Sequence, residues 1–225
     1  MNLPSPGDYI DIHNHGGRPS PGHYSIENLM AHEDVLPDMT PGISYTSGIH
    51  PWHLTEESFD KQIERVRSIA GDENVIAIGE AGFDRLKGPE PELQQRAFEE
   101  QVAISEKLSK PVFIHCVKGW DDLLEVYKKM RPAQTWIIHG FRGKKELASQ
   151  LLSKGMFISL WFDFVLRPES AFLLQSLPAE RFFLETDGSG VDIGSIYKKV
   201  SFDLGLSVDD LKKQIFNNFN HLFLK

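Results

Sequence analysis

Six side chains that can hold a divalent cation or move a proton stand out by their position: His13, His15, Glu80, His115, His139 and Asp187. Each follows a short apolar run, where a buried strand would hand over to a loop. In Asp11-Ile12-His13-Asn14-His15 the two-residue alternation of an extended strand puts Asp11, His13 and His15 on one face. In a closed barrel that polar face is the inward one. Burying imidazoles there without partners costs on the order of several kcal/mol. A metal ion removes that cost by taking up neutral ring nitrogens, while the acid orients a ring from outside. A single strand-end histidine is ordinarily a hydrogen-bonded core residue. Four imidazoles and two carboxylates at the ends of five strands have no common packing reason, and they point to a metal centre.

The other histidines read differently. His23, His32, His53 and His221 fall in loops or on the terminal helix and are read as surface or packing residues. His50, within Gly48-Ile49-His50-Pro51, is intermediate: it orients a substrate oxygen or hydrogen-bonds inside the pocket. Two cations ~3.5–4 Å apart need a shared ligand with two oxygens, and Glu80, a lone carboxylate midway along the series, can supply it. The nitrogen and oxygen donors, without thiolate, suit Zn²⁺, Mn²⁺ or Mg²⁺.

Positioning such residues requires parallel strands. Short apolar runs at 9–12, 43–47, 75–78, 112–114, 135–138, 157–160 and 182–184, with a weaker one at 24–29, alternate with amphipathic stretches. That rhythm predicts an α/β fold of TIM type, a (β/α) barrel of seven to eight strands whose C-terminal strand ends carry the chemistry. Helices are expected from Thr55 through Ala70 and over 90–108, 120–130, 144–154, 168–176 and 208–223, with Gly155 as a C-terminal stop. The stretch 16–42, rich in Pro, Gly, Ser and His, breaks the rhythm and predicts a degenerate second βα unit.

The 225 residues fit one domain, 1–225, near the lower length limit for such a barrel. One cysteine, Cys116, and a start lacking the basic and apolar parts of a secretory signal predict a cytoplasmic protein. No apolar run is long enough for a membrane span. The formal charge of −8 argues against sequence-independent coating of nucleic acid. Two bound dications would still reverse the field locally for a phosphate substrate. Protein partners are left open, with a monomer as the default.

At these residues the sequence resembles the TatD-like metal-dependent deoxyribonucleases of the amidohydrolase-type barrel group. Asp11-Ile12-His13-Asn14-His15, Gly48-Ile49-His50-Pro51, Gly79-Glu80-Ala81-Gly82-Phe83-Asp84, Pro111 to His115, His139-Gly140-Phe141-Arg142-Gly143 and Glu185-Thr186-Asp187 follow in that family's order. The resemblance implies one metal held by His13, His15, Glu80 and Asp187 and another by Glu80, His115 and His139, with Glu80 bridging. It implies hydrolysis of phosphodiester bonds at single-stranded DNA ends; metal chemistry then suggests attack by a metal-activated water, with Asp187 as proton acceptor and Glu80 as the second catalytic carboxylate.

The chain also departs from the family. Val117-Lys118 stands where many members carry an arginine, and Gly188-Ser189-Gly190 replaces a proline-containing loop. Lys118, Arg142 and His50 are therefore the candidate substrate-binding residues. Trp52 and Trp161 could stack on bases, packing being their ordinary role. Two other readings compete: hydrolysis of a small ester, lactone or amide by the same constellation, and a non-catalytic scaffold. Arg142 or Lys118 turned inward would favour a phosphate, an apolar wall a carbonyl.

Overall fold

The computed structural model describes residues 3–16, 20–33, 40 and 43–224. Its strands are β1 (Tyr9–Asn14), β2 (His23–Met30), β3 (Ser44–Gly48), β4 (Val75–Asp84), β5 (Val112–Val117), β6 (Trp136–Phe141), β7 (Phe157–Leu160) and β8 (Phe182–Leu184). Helices α1 (Glu56–Ile69), α2 (Pro91–Leu108), α3 (Trp120–Met130), α4 (Lys145–Leu152), α5 (Phe162–Val165), α6 (Ser170–Leu174), α7 (Ile193–Leu204) and α8 (Val208–Phe223) fall between and after them. The strands form one sheet in chain order, β1 to β8, the arrangement of a TIM-type (β/α) barrel.

The second βα unit is degenerate in a specific way. The weak strand expected at 24–29 is an eight-residue strand, β2, parallel to β1 with Asp11 opposite Ser25. No helix separates β2 from β3 among the described residues; positions 17–19, 34–39, 41 and 42 of the irregular stretch lie outside them. The helix expected over 168–176 is the shorter α6, with α5 before it, and α7 went unforeseen.

The chain divides into two compact units. One comprises Asn28–Thr40 and Ser44–Trp136. Its core packs Ile63 and Val66 of α1, Ala70 just after it, and Leu93, Ala97 and Ile104 of α2 with Ile49 and Ile78. Thr55 and Ser58 form a reciprocal cap that starts α1. Strands β4 and β5 run unusually close: a Cβ on Gly82, at φ +145°, would lie 2.1 Å from the His115 carbonyl oxygen. Only glycine allows that approach, which brings Glu80 beside His115.

The other unit comprises Met1–Glu27, Pro41–Ile43 and Ile137–Lys225. Here β1 meets the β8 end through side chains as well as backbone. The buried Tyr197 hydroxyl of α7 receives the Ile10 N–H at 3.1 Å and donates to the Ile10 carbonyl at 3.0 Å. Three residues along β1 the Asp187 N–H donates to the His13 carbonyl at 3.1 Å. Asp192 caps α7 by accepting the Ser195 N–H, and Gly205, at φ +66°, ends it.

Candidate metal centres

The first cluster belongs to β1 and the end of β8. His13 is fully buried, and its Nε2 lies 3.6 Å from Asp187 Oδ1; His15 Nε2 lies 3.5 Å from the same oxygen. Two donors around one tetrahedral cation at ordinary bond lengths sit roughly 3.3 Å apart, so these three atoms have the spacing of ligands to one ion. The imidazoles of His13 and His15 meet at 88° in a T-shaped contact with centroids 5.0 Å apart. Asp187 adopts φ +51°, a conformation uncommon for a non-glycine residue and typical of functional positions. His139 joins this cluster, its ring 4.4 Å from that of His13.

Asp11 does not orient an imidazole as the sequence suggested. Its carboxylate accepts the Thr186 N–H at 3.0 Å and the Thr186 hydroxyl, fixing the residue before Asp187. Burial pushes the Asp11 carboxyl up to about 7 against these bonds. The acid facing an imidazole is Glu185, whose Oε1 lies 3.4 Å from His139 Nδ1 and accepts the Gly140 N–H at 2.7 Å. Its other oxygen is buried without a hydrogen bond, a charge environment that a nearby cation would satisfy.

The second cluster gathers at the ends of β3, β4 and β5. Glu80 Oε1 lies 2.9 Å from His115 Nδ1 and 3.3 Å from His50 Nε2. Asn28 fixes this acid from two sides, its Nδ2 3.4 Å from Glu80 Oε2 and its Oδ1 accepting the Glu80 N–H at 3.1 Å. His115 Nε2 faces the buried Asp84 at 3.3 Å, which leaves Nδ1, on the Glu80 side, as the donor nitrogen for a metal.

His50 is different. Its Nδ1 accepts the Trp52 N–H at 3.1 Å, so the network places the proton of the neutral ring on Nε2. Nε2 is therefore a donor toward Glu80 or a substrate oxygen, although its position alone would group it with Glu80 and His115 as a ligand.

Asp84 had no role in the sequence reading. It accepts the Trp52 indole N–H at 2.6 Å and the backbone N–H groups of Leu86 and Lys87 at 2.7 and 2.9 Å. Burial alone would raise its carboxyl; the donors outweigh that and hold it below the usual carboxylate range. Its two-residue spacing from Gly82 and Glu80 along β4 was the available signal.

Of the expected substrate residues, His50 sits in the second cluster, and Lys118 and Arg142 lie outside both. Lys118 is exposed in a left-handed turn, φ +58°. Arg142 is exposed, with its guanidinium 4.0 Å from the Trp161 ring centroid. His23 begins β2, and His32 stacks on His53 at 3.7 Å. A cleft of about 580 Å³ adjoins the first cluster, lined among others by Tyr9, Asn14, His15, Tyr24, Thr186 and Val191.

Parallel strands whose C-terminal ends gather imidazoles and carboxylates at ligand spacing define a (β/α) barrel with candidate metal centres. The family model described as TatD related DNase matches residues 28–224, and the chain belongs to that family. The matched range begins after β1, so His13 and His15 stand outside it. Among similar proteins, the 3'-5' ssDNA/RNA exonuclease TatD of Erwinia tasmaniensis is 33% identical over 147 residues, 63% of this chain and 56% of that protein. The protein of the same name from Erwinia billingiae is 34% identical over 172 residues, 74% of this chain and 65% of the other. The chain thus spans less than two thirds of these relatives. An uncharacterized metal-dependent hydrolase, YcfH of Escherichia coli, is 25% identical over 90% of this chain and 79% of its own length. The solved TatD homolog YJJV of Escherichia coli shares the fold, with TM-score 0.79 and 19% identity over 98% of this chain and 100% of that one. No helix among the described residues is long and apolar enough to cross a membrane.

Proposed function

We propose that this chain is a metal-dependent phosphodiesterase that shortens single-stranded DNA from an end. His13, His15, Glu80, His115, His139 and Asp187 would hold two divalent cations, Zn²⁺, Mn²⁺ or Mg²⁺, with Glu80 shared, as the family resemblance implies. The observation that carries the reading is the ligand spacing of His13, His15 and Asp187, 3.5 to 3.6 Å between donors. The exonuclease names of the Erwinia relatives support the substrate class. Single-domain, monomeric action in the cytoplasm is part of the same proposal.

Divalent cations at such ligands supply an activated water and charge stabilisation for the attacking and leaving oxygens. The chain's own groups do the rest. Asp187, partly open to solvent, accepts the proton of the attacking water. Asn28 holds Glu80 in place, and His50 donates from Nε2 to a substrate oxygen. Arg142 and Lys118, both exposed, contact phosphates farther along the strand.

One observation favours hydrolysis of a small ester, lactone or amide instead. The cleft beside His15 has neither lysine nor arginine among its described lining residues. Both readings are tested by supplying the metal-free protein with Mg²⁺, Mn²⁺ or Zn²⁺ and offering end-labelled single-stranded DNA, a generic phosphodiester and an aryl ester. Stepwise shortening that vanishes in Glu80→Ala supports the nuclease; ester cleavage with intact DNA overturns it.

A further inference from the structure

Trp52 is 45% exposed, yet it is held more firmly than an exposed side chain ordinarily is. It lies in the 3₁₀ turn Pro51–His53 that follows β3, on the strand-end side where substrate arrives. Its indole N–H bonds Asp84 at 2.6 Å, which fixes the ring edge. Edge-on contacts with His50 and His115, centroids 4.8 and 5.9 Å away and both near 78°, fix the plane. An aromatic kept for packing would be buried. This one is oriented by the second cluster's own residues and left half in solvent.

Lys87 stands over the ring, its Nζ 4.0 Å from the centroid. It is exposed, and no carboxylate among the described residues pairs with it. Neighbouring Arg85 is tied to Asp122, with Nε 2.7 Å from Oδ2. The Lys87 backbone is anchored by its N–H to Asp84, so the cation is tethered to the acid that holds the platform. A half-exposed indole presents a π-face to any nucleobase, and a cation on a flexible stem beside it neutralises the attached phosphate.

We propose that Trp52 and Lys87 form a nucleotide subsite, in which a base of single-stranded nucleic acid stacks on the Trp52 face and Lys87 swings from the ring to that nucleotide's phosphate. The proposal rests on the phosphodiesterase reading and specifies how its substrate is gripped. Because Asp84 joins the platform to His115, a filled subsite also bears on the orientation of a candidate metal ligand.

The test uses the full chain and three variants, Trp52→Leu, Trp52→Phe and Lys87→Met. Binding of a fluorescein-labelled oligothymidylate to metal-free protein is read by anisotropy, and tryptophan emission is followed with the unlabelled strand. Trp52→Leu is expected to bind roughly ten-fold more weakly. Trp52→Phe keeps a stacking ring and binds within about three-fold of the parent, but loses the emission quench. Lys87→Met lowers the slope of log affinity against log salt by about 0.7. With Mn²⁺ present, the KM of Trp52→Leu for the oligonucleotide rises about ten-fold more than its KM for methyl p-nitrophenyl phosphate, which has no base. Equal rises in both constants, or a quench that survives in Trp52→Phe, would overturn the subsite while leaving the nuclease reading intact. Failure of the parent protein to bind or cut the oligonucleotide overturns both.

Discussion

His115 lies between two acids: its Nδ1 is 2.9 Å from Glu80 and its Nε2 is 3.3 Å from Asp84. An imidazole held at both nitrogens has one orientation, the preparation that a metal ligand requires. Asp84→Asn puts a donor where His115 and the 86–87 amides need an acceptor. We expect metal affinity to fall about 10- to 100-fold, as measured by competition with a chelating dye. Affinity unchanged from the parent would remove Asp84 from this role.

Asp187 faces both histidines of the first cluster through a single oxygen. Asp187→Asn keeps the volume and loses the basic oxygen, so turnover of single-stranded DNA at saturating metal is expected to drop about 10²- to 10⁴-fold. Retention of turnover within a few-fold would exclude Asp187 as proton acceptor.

Tyr197→Phe removes both bonds to Ile10 and leaves a buried N–H and C=O unmatched, at a cost of about 1–3 kcal/mol by denaturant titration. Burial holds the Tyr197 phenol well above its ordinary range. An acid whose native pKa is raised stabilises the fold below its unfolded value, about 10, and that contribution is lost as pH rises beyond it. The parent should therefore lose stability above about pH 10 more steeply than Tyr197→Phe. Parallel alkaline profiles would contradict this.

Asp192→Ala deletes the cap of α7 and should cost about 1 kcal/mol near neutral pH. The Ser195 hydroxyl and backbone N–H hold the Asp192 carboxyl below its ordinary value. The cap is thus present above the unfolded carboxylate range and fades as pH falls through the depressed native value. Melting curves of the two proteins should converge in acid; a constant gap would mean the loss is not electrostatic.

The sequence disclosed most of the frame because its signals were local. Alternation in β1 put His13 and His15 on one face, and α3 and α8 begin and end where their sequences predict. Local signals failed where polarity masked a strand: Glu27 and Asn28 interrupt the apolar pattern of β2, yet Asn28 is what secures Glu80. Helix α7 was legible in principle, with Asp192 before it, Gly205 after it, and Ile193, Ile196, Tyr197 and Val200 at helical spacing. The glycine-rich Gly188-Ser189-Gly190 drew the reading toward a loop. The partners of Asp11 and Asp84 were out of reach for another reason: which acid serves an imidazole and which serves a backbone is decided by neighbours distant in sequence.

The Tyr197 hydroxyl closes on Ile10 across 187 positions of chain. During synthesis β1, with His13 and His15, is made well before Thr186, Asp187 and Tyr197 and waits for these partners. Fragments stalled before position 186 would carry both imidazoles without the carboxylate opposite them. Assembly of the first cluster is therefore a late event in the life of the nascent chain, and it reports that the segment through Asp187 has arrived.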